Sequence, residues 1–186
     1  MRFDLEGFVE KCRKAVEASD SHVAVRELVA EAVSDPASII ETLGEPKRSG
    51  INQIYRSGTL TILNIAWPPF MTVYPHNHGM WAVIGVYSGC EDNIFWRRHG
   101  DVIEAAGAKS LRAGDVAPLG RDIIHTVTNP IARVSSALQL YGGDFFAAPR
   151  SEWDPETLRE QPFDMARTNQ SFRDAAARFG LDGQGL

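Results

Sequence analysis

Apolar residues recur at helical spacing in two stretches near the start of the chain, over residues 5–16 and 25–33. A third helix is predicted over residues 37–43. Asp35-Pro36 supplies an acidic cap followed by proline at the first helical position, and Gly44 is a typical stop. The pattern therefore predicts a helical segment over residues 1–50.

The pattern changes at Ile51. Short runs rich in Ile, Val, Thr and aromatic residues follow, separated by Gly, Pro and Asn, as is typical of many short strands. After Arg150 the chain becomes polar, and residues 171–179, closed by Gly180, indicate a terminal helix. About nine strands without intervening helices predict an antiparallel sandwich or barrel. The predicted strands are residues 53–56, 59–67, 71–74, 81–88, 93–98, 102–105, 115–118, 124–129 and 134–141.

Length and composition fit a single ordinary globular domain. The chain has 186 residues, of which 44% are hydrophobic and 23% charged. We therefore expect one domain over residues 1–186, with the helical segment 1–50, a β-barrel over 51–150 and a C-terminal extension over 151–186. The net charge of −5 disfavours a nucleic-acid partner, because such proteins carry basic surfaces.

The sequence predicts a cytoplasmic protein with no membrane partner. Acidic and basic side chains are scattered among the apolar residues of the first eighteen positions, unlike a signal peptide or a membrane span. The two cysteines, Cys12 and Cys90, are too few for a disulfide scaffold, and we expect reduced thiols. The sequence does not indicate the oligomeric state.

Candidate chemistry begins with His76 and His78, whose spacing on an extended strand places both imidazoles on one face. That spacing alone also fits two surface or hydrogen-bonded histidines. A second segment strengthens the metal interpretation, because it follows the pattern G-x3-P-x-G-x4-H-x3-N. Its residues are Gly114, Pro118, Gly120, His125 and Asn129.

These two segments resemble the two motifs of the cupin superfamily. The resemblance implies a mainly β fold, the cupin double-stranded β-helix barrel, here with N-terminal α-helices and a short C-terminal helix. It assigns His76, His78 and His125 to one metal ion. The first motif usually also supplies a glutamate, but Ala82 and Val83 stand at its positions. Three imidazoles suit Fe, Zn, Ni or Cu and leave coordination positions free.

A closer resemblance is to bacterial 3-mercaptopropionate dioxygenases of the cysteine dioxygenase family. Residues 76–85, HNHGMWAVIG, are similar to their H-D-H-T-x-W-G-x-I-G run, and Tyr141-Gly142 followed by Arg150-Ser151 matches their Y-G-x8-R-S spacing. The resemblance implies Fe(II), with Zn, Ni or Cu as alternatives. It also implies that Arg150 holds a substrate carboxylate and that Tyr141 is a hydrogen-bond donor near the site.

The chain departs from that family in the hydrogen-bond relay to the tyrosine. The family has Ser-x-His-x-Tyr, and the matching positions here are Ala137, Gln139 and Tyr141. We therefore expect an interrupted relay, with Gln139 buried beside Tyr141 and its amide hydrogen-bonded. Gln139 and Tyr141 are the candidate catalytic residues. The crosslinking cysteine of animal thiol dioxygenases is also missing.

The other candidate site residues rest on weaker signals. Trp81 is assigned to the substrate pocket together with Arg150, and core packing is its alternative. Phe95 and Trp96 have the same two interpretations. One of Arg97 and Arg98 could line the cavity, although an exposed pair fits the pattern better. The remaining histidines, His22 and His99, are predicted to be structural.

Three functions remain open from the sequence. The first is an iron dioxygenase that adds O2 to the sulfur of a small thiol carboxylic acid and gives a sulfinate. The second is a different metallocupin enzyme that acts on a non-thiol substrate, which the loss of the relay serine and histidine favours. The third is a cupin that binds a small molecule without turnover.

Overall fold

The computed structural model describes residues 2–181 and 183–184. Three helices precede the strands, and one follows most of them. The helices are α1 (Leu5–Ala18), α2 (Val23–Val33), α3 (Pro36–Leu43) and α4 (Met165–Arg178). The strands are β1 (Ser49–Arg56), β2 (Thr61–Trp67), β3 (Thr72–His76), β4 (Ala82–Ser88), β5 (Cys90–His99), β6 (Val102–Arg112), β7 (Val116–Leu119), β8 (Ile124–Thr128), β9 (Ser135–Tyr141), β10 (Ser151–Trp153), β11 (Glu160–Pro162) and β12 (Gly183–Gln184).

The strands form two six-stranded sheets. One has the order β12-β1-β2-β9-β4-β7 and the other β11-β10-β3-β8-β5-β6. All pairs are antiparallel except β1 with β12. Consecutive strands repeatedly cross between the sheets, as in a jelly roll. The predicted fold, a cupin double-stranded β-helix with N-terminal helices and a C-terminal helix, is confirmed.

The main core fills the space between the two sheets, and β4 shows how the sequence specifies it. Alternate side chains of a strand point to opposite faces. Ala82, Ile84 and Val86 belong to the core inside the barrel, whereas Val83 and Tyr87 pack outside it. A strand that is buried on both faces needs an almost continuous apolar run, which this segment supplies.

The three N-terminal helices cover the outer face of the first sheet. Gly85 shows how closely α2 approaches, because a Cβ atom at this position would lie 2.3 Å from Val29 Cγ1 and 2.9 Å from Val33 Cγ1. Only glycine leaves room for this contact. The apolar stripes of α1 and α2, predicted from their spacing, are buried here together with Cys12.

The C-terminal helix packs against the interior of the barrel. It begins at Met165 rather than at the predicted residue 171, because Asp164 caps it by accepting from the backbone N–H groups of Ala166 and Arg167. Phe172 stacks on Trp67, with ring centroids 5.2 Å apart. Within the described part of the chain, no helix combines the length and the apolar character needed to cross a membrane.

Candidate metal centre

Two of the predicted ligands are cross-strand neighbours. His76 is the last residue of β3, and His125 stands directly opposite it on β8. Opposed residues of an antiparallel pair project from the same face, so both imidazoles enter the barrel. Both side chains are buried.

The third ligand lies just beyond the strand. His78 follows the end of β3, and Asn77 between the two histidines is held by Ser151: its backbone N–H donates to the Ser151 carbonyl at 3.1 Å, and its Oδ1 accepts from the Ser151 N–H at 2.8 Å. Gly79 has a positive φ of 68°. The prediction that both histidines lie on one strand is therefore corrected, because Asn77 leaves the ladder to bind the segment next to Arg150.

The three imidazoles come together as predicted. Their ligand nitrogens all lie within 4.8 Å of one another, and His78 Nε2 is 3.3 Å from His125 Nε2. His76 Nδ1 is 2.9 Å from the Tyr74 carbonyl oxygen, to which it can only donate. His76 Nε2 therefore carries a lone pair.

The surroundings of the cluster keep its three imidazoles neutral. Burial is the largest cause that lowers the pKa of His76 to about 4 and the pKa values of His78 and His125 well below their usual range. The imidazoles are thus neutral, as metal ligands must be. Among the described residues the cluster includes no carboxylate, so three nitrogens would hold the metal and leave positions open.

A buried carboxylate that the sequence did not indicate is hydrogen-bonded to several side chains around this cluster. Glu91 on β5 is 0% exposed. Its Oε2 accepts from Trp67 Nε1 at 3.0 Å and from Gln139 Nε2 at 3.2 Å, and its Oε1 accepts from Asn93 Nδ2 at 3.1 Å. Asn93 Oδ1 in turn lies 2.8 Å from His125 Nδ1. A hydrogen-bond chain therefore runs from Glu91 to a candidate metal ligand.

Two opposing effects act on Glu91. The three N–H groups stabilise the ionised carboxylate and lower its pKa, whereas burial penalises the charge and is the larger effect. The net result raises the pKa of Glu91 to about 7. At about pH 8 most of the protein therefore carries an ionised Glu91.

Replacing Glu91 with glutamine is expected to flatten the dependence of stability on pH. Since the pKa of the folded state is raised, the unfolded chain loses this proton first as the pH rises. The stability that the protonated group contributes is complete below the unfolded pKa of about 4.3 and is lost as the pH rises through about 7. Between about pH 5 and pH 8, the free energy of unfolding of the variant should rise by about 2 to 3 kcal/mol relative to that of the wild type.

Chemical denaturation of the metal-free proteins at several pH values measures this difference. Asp92→Asn is the matched control, because Asp92 is the next residue on β5 and its carboxylate accepts from Ser110 on β6. Parallel stability curves for Glu91→Gln and the wild type would contradict the prediction.

Gln139 and Tyr141 lie beside the cluster. Gln139 is buried and hydrogen-bonded, as predicted: its Oε1 accepts from the Tyr141 hydroxyl at 2.6 Å. The Tyr141 ring lies 5.0 Å from the His78 ring. Ala137 has no side chain that could continue the family's relay, but the hydrogen bonds that start at Tyr141 continue through Gln139 to Glu91 instead.

Arg150 lies beside the histidines without a partner for its charge. Its guanidinium carbon is 3.7 Å from the centroid of the Phe145 ring and 4.1 Å from that of the Phe163 ring. Nη1 is buried and makes no hydrogen bond, and among the described residues no carboxylate pairs with Arg150. Desolvation lowers the pKa of Arg150 to about 10, and its positive charge also contributes to the low pKa values of His76 and His78.

A small cavity of about 30 Å³ adjoins His76 and His125 but not His78 or Arg150. Its wall is mostly apolar and includes Phe145, Phe163 and Phe172 beside His76 and His125. Since a cavity of roughly 10 to 15 Å³ holds one water molecule, this one has room for only two or three heavy atoms.

The structure does not bring Trp81 to this cavity. Its neighbours are His22, with ring centroids 6.4 Å apart, and Gly142, and it packs against the core under the N-terminal helices. The assignment of Trp81 to the substrate pocket is therefore corrected in favour of its packing alternative. The reason is strand alternation, since Trp81 shares the outward face of Val83.

The other secondary candidates are also placed. Phe95 packs against the interior core, whereas Trp96 belongs to a small outer cluster. Arg97 and Arg98 form an exposed pair, as the pattern favoured, and bind Glu104 and Glu160.

No protein-family model and no curated protein matches the chain. Among solved structures it resembles an RmlC-like cupin family protein with a double-stranded β-helix fold from Methanocaldococcus jannaschii, with 9% identity, a TM-score of 0.45, and coverage of 54% of this chain and 84% of that one. It also resembles a cupin superfamily protein from Desulfitobacterium hafniense, with 14% identity, a TM-score of 0.43, and coverage of 55% and 86%. A cupin 2 conserved barrel domain protein from Salinispora arenicola shows 15% identity, a TM-score of 0.40, and coverage of 49% and 72%. The strand pairing described above establishes that this chain has the cupin fold, with three histidines in its barrel that could hold a metal ion.

Proposed function

We propose that this protein is a metal-dependent dioxygenase that converts a small thiol carboxylic acid to the corresponding sulfinate. Both atoms of one O2 would become bonded to the sulfur, and the sulfur supplies the electrons that reduce them, so no external reductant is needed. The resemblance of residues 76–85 and of the Tyr141 to Arg150 spacing to thiol dioxygenases supports this reaction.

The observation that carries the proposal is the unpartnered guanidinium of Arg150 beside three neutral imidazoles. A buried positive charge is expensive unless an anion offsets its desolvation. The planar guanidinium offers a bidentate fork that matches a carboxylate, and the Phe145 and Phe163 rings beside it hold it in place. An acidic substrate would supply the missing anion.

The residues around the site have distinct roles in this proposal. His76, His78 and His125 would hold Fe(II), which supplies the O2 chemistry when bound. Arg150 would orient the substrate by its carboxylate from beside the apolar cavity, which is too small for a whole acid and would have to widen on binding. Because the Tyr141 hydroxyl donates to Gln139, its oxygen is free to accept a hydrogen bond from the S–H group of an incoming thiol.

A second candidate function is a metallocupin enzyme that acts on a non-thiol acid. The replacement of the family's relay serine and histidine by Ala137 and Gln139 favours it. Gln139 does not titrate near neutral pH as a histidine would, so the surroundings of Tyr141 differ from those in thiol dioxygenases.

Oxygen uptake separates these possibilities. The metal-free protein is loaded anaerobically with Fe(II) and then mixed with O2 and either 3-mercaptopropionate or cysteine. Separate assays use 3-hydroxypropionate and serine, the matched acids without sulfur. We expect equal consumption of O2 and of one thiol, with a product heavier by the mass of one O2 molecule. Uptake only with the sulfur-free acids would favour the second candidate. Tight metal and acid binding without any O2 uptake would replace both with a non-catalytic binding protein.

A further inference from the structure

We propose that Glu91 is a positioning residue of the candidate metal centre. As an ionised carboxylate that can only accept hydrogen bonds, it holds the Asn93 amide with its oxygen towards His125. It thereby keeps the His125 proton on Nδ1 and leaves the Nε2 lone pair inside the site. This inference concerns the histidine cluster itself and does not rest on the proposed reaction.

The direction of each hydrogen bond follows from the chemistry of the groups. The Trp67 indole N–H is a donor only, so Glu91 Oε2 must be an acceptor. An ionised Glu91 has no proton to donate, so Asn93 must turn its NH2 group towards Oε1. The Asn93 oxygen then faces His125 Nδ1 at 2.8 Å, where it requires an N–H donor.

This arrangement determines which nitrogen of His125 is available to a metal. A neutral imidazole has one N–H and one lone pair, and the proton on Nδ1 leaves the lone pair on Nε2. His125 Nε2 is the atom that faces His78 Nε2 at 3.3 Å. If the proton were instead on Nε2, it would occupy the position of the metal.

The groups that face Glu91 include no charged partner that could orient its carboxylate in another way. Its donors come from three strands, Trp67 on β2, Asn93 on β5 and Gln139 on β9, and all three are neutral. The negative charge of Glu91 acts on two other ionisable groups, Tyr141 and Cys90, and helps to raise their pKa values. Among the described residues, no basic side chain forms an ion pair with Glu91.

Glu91→Gln reverses the hydrogen bond with Asn93 and keeps those that Trp67 and Gln139 donate. Because Trp67 can only donate, the new amide oxygen must take the place of Oε2, where it also still accepts from Gln139. The new NH2 group then faces Asn93 Nδ2, and Asn93 must flip to present its oxygen. The flipped Asn93 donates to His125 Nδ1, which drives the His125 proton to Nε2.

The tautomer of His125 in the metal-free protein is the direct test. Long-range ¹H–¹⁵N correlation spectra at about pH 8 distinguish the two ring nitrogens. We expect the proton on Nδ1 in the wild type and on Nε2 in Glu91→Gln. In parallel, the affinity for Co²⁺, measured by calorimetry, should fall by about 10- to 100-fold in the variant, which is typical of lost outer hydrogen bonds to a metal ligand.

A second substitution should restore the site. In Glu91→Gln with Asn93→Asp, the carboxylate at position 93 accepts both from the new amide and from His125 Nδ1, so the proton returns to Nδ1 and Co²⁺ affinity recovers to near the wild-type value. Asp92→Asn, the matched charge change at the adjacent position, should leave both readouts unchanged. A wild-type His125 protonated on Nε2, or an unchanged tautomer and affinity in Glu91→Gln, would overturn the proposal.

Discussion

Replacing His78 with alanine is expected to lower the affinity for a divalent metal by about 100- to 1,000-fold. Tetrahedral zinc sites bind with roughly 10 to 16 kcal/mol, which is about 2.5 to 4 kcal/mol for each ligand. His78 suits this test, because among the described residues its ring approaches no other polar group than His125 Nε2, at 3.3 Å. Its removal therefore deletes one ligand and leaves the bond between His125 and Asn93 in place.

Competition between the protein and a chelator for Zn²⁺ or Co²⁺ measures this loss. His99→Ala is the control, because His99 lies at the end of β5 and its side chain is 72% exposed. Equal affinities for His78→Ala and His99→Ala would contradict a shared site for the three histidines. If both metal-free variants unfold at the same denaturant concentration, the difference in metal affinity is due to the lost ligand and not to a damaged fold.

The fold was predictable because its strands carry strong local signals. Alternation and turn residues predicted nine strands in the correct order, and the apolar stripes predicted the first helices. The missed elements have weak local signals. Strands β10 and β11 span only three residues each, and the start of α4 at Met165 is polar and depends on the Asp164 cap.

The histidine cluster was predictable for a different reason, since two separate segments of the sequence resemble the two cupin motifs. His76 and His125 recur in two segments whose pairing across β3 and β8 follows from the fold. Glu91 gave no such signal. It stands between Cys90 and Asp92 in a polar stretch that precedes the predicted strand, and its donors come from three strands that are distant in sequence. Only the folded barrel shows that this acid is buried and satisfied.

Trp81 shows why an aromatic residue of a strand is a weak candidate for a pocket wall. It was assigned to the substrate pocket with core packing as the alternative, but the alternation of β4 already contained the answer. Since Ala82 faces the interior, the residue before it must face outward. The side that a residue faces is thus determined by the strand, whatever its side chain could do in a pocket.

Replacing Arg150 with alanine is expected to weaken the binding of a small carboxylate by about 30- to 1,000-fold. The loss of a charge-assisted fork in a desolvated site corresponds to about 2 to 4 kcal/mol. Arg150 is the group to test, because its Nη1 is buried without a partner between two phenyl rings. Calorimetry under nitrogen with the Fe(II)-loaded protein measures the affinity for 3-mercaptopropionate without turnover.

The matched ligand 3-mercaptopropanamide separates charge recognition from general damage to the site. The wild type should prefer the acid over the amide, and Arg150→Ala should lose that preference while its affinity for the amide changes little. Arg150→Lys keeps the charge but not the planar fork or the stacking on Phe145 and Phe163, so it should retain only part of the preference. Arg97→Ala, which removes an exposed guanidinium paired with Glu104, should bind both ligands as the wild type does. A preference for the acid that survives in Arg150→Ala would show that the carboxylate is held elsewhere, and the unpaired charge of Arg150 would then require a different anion.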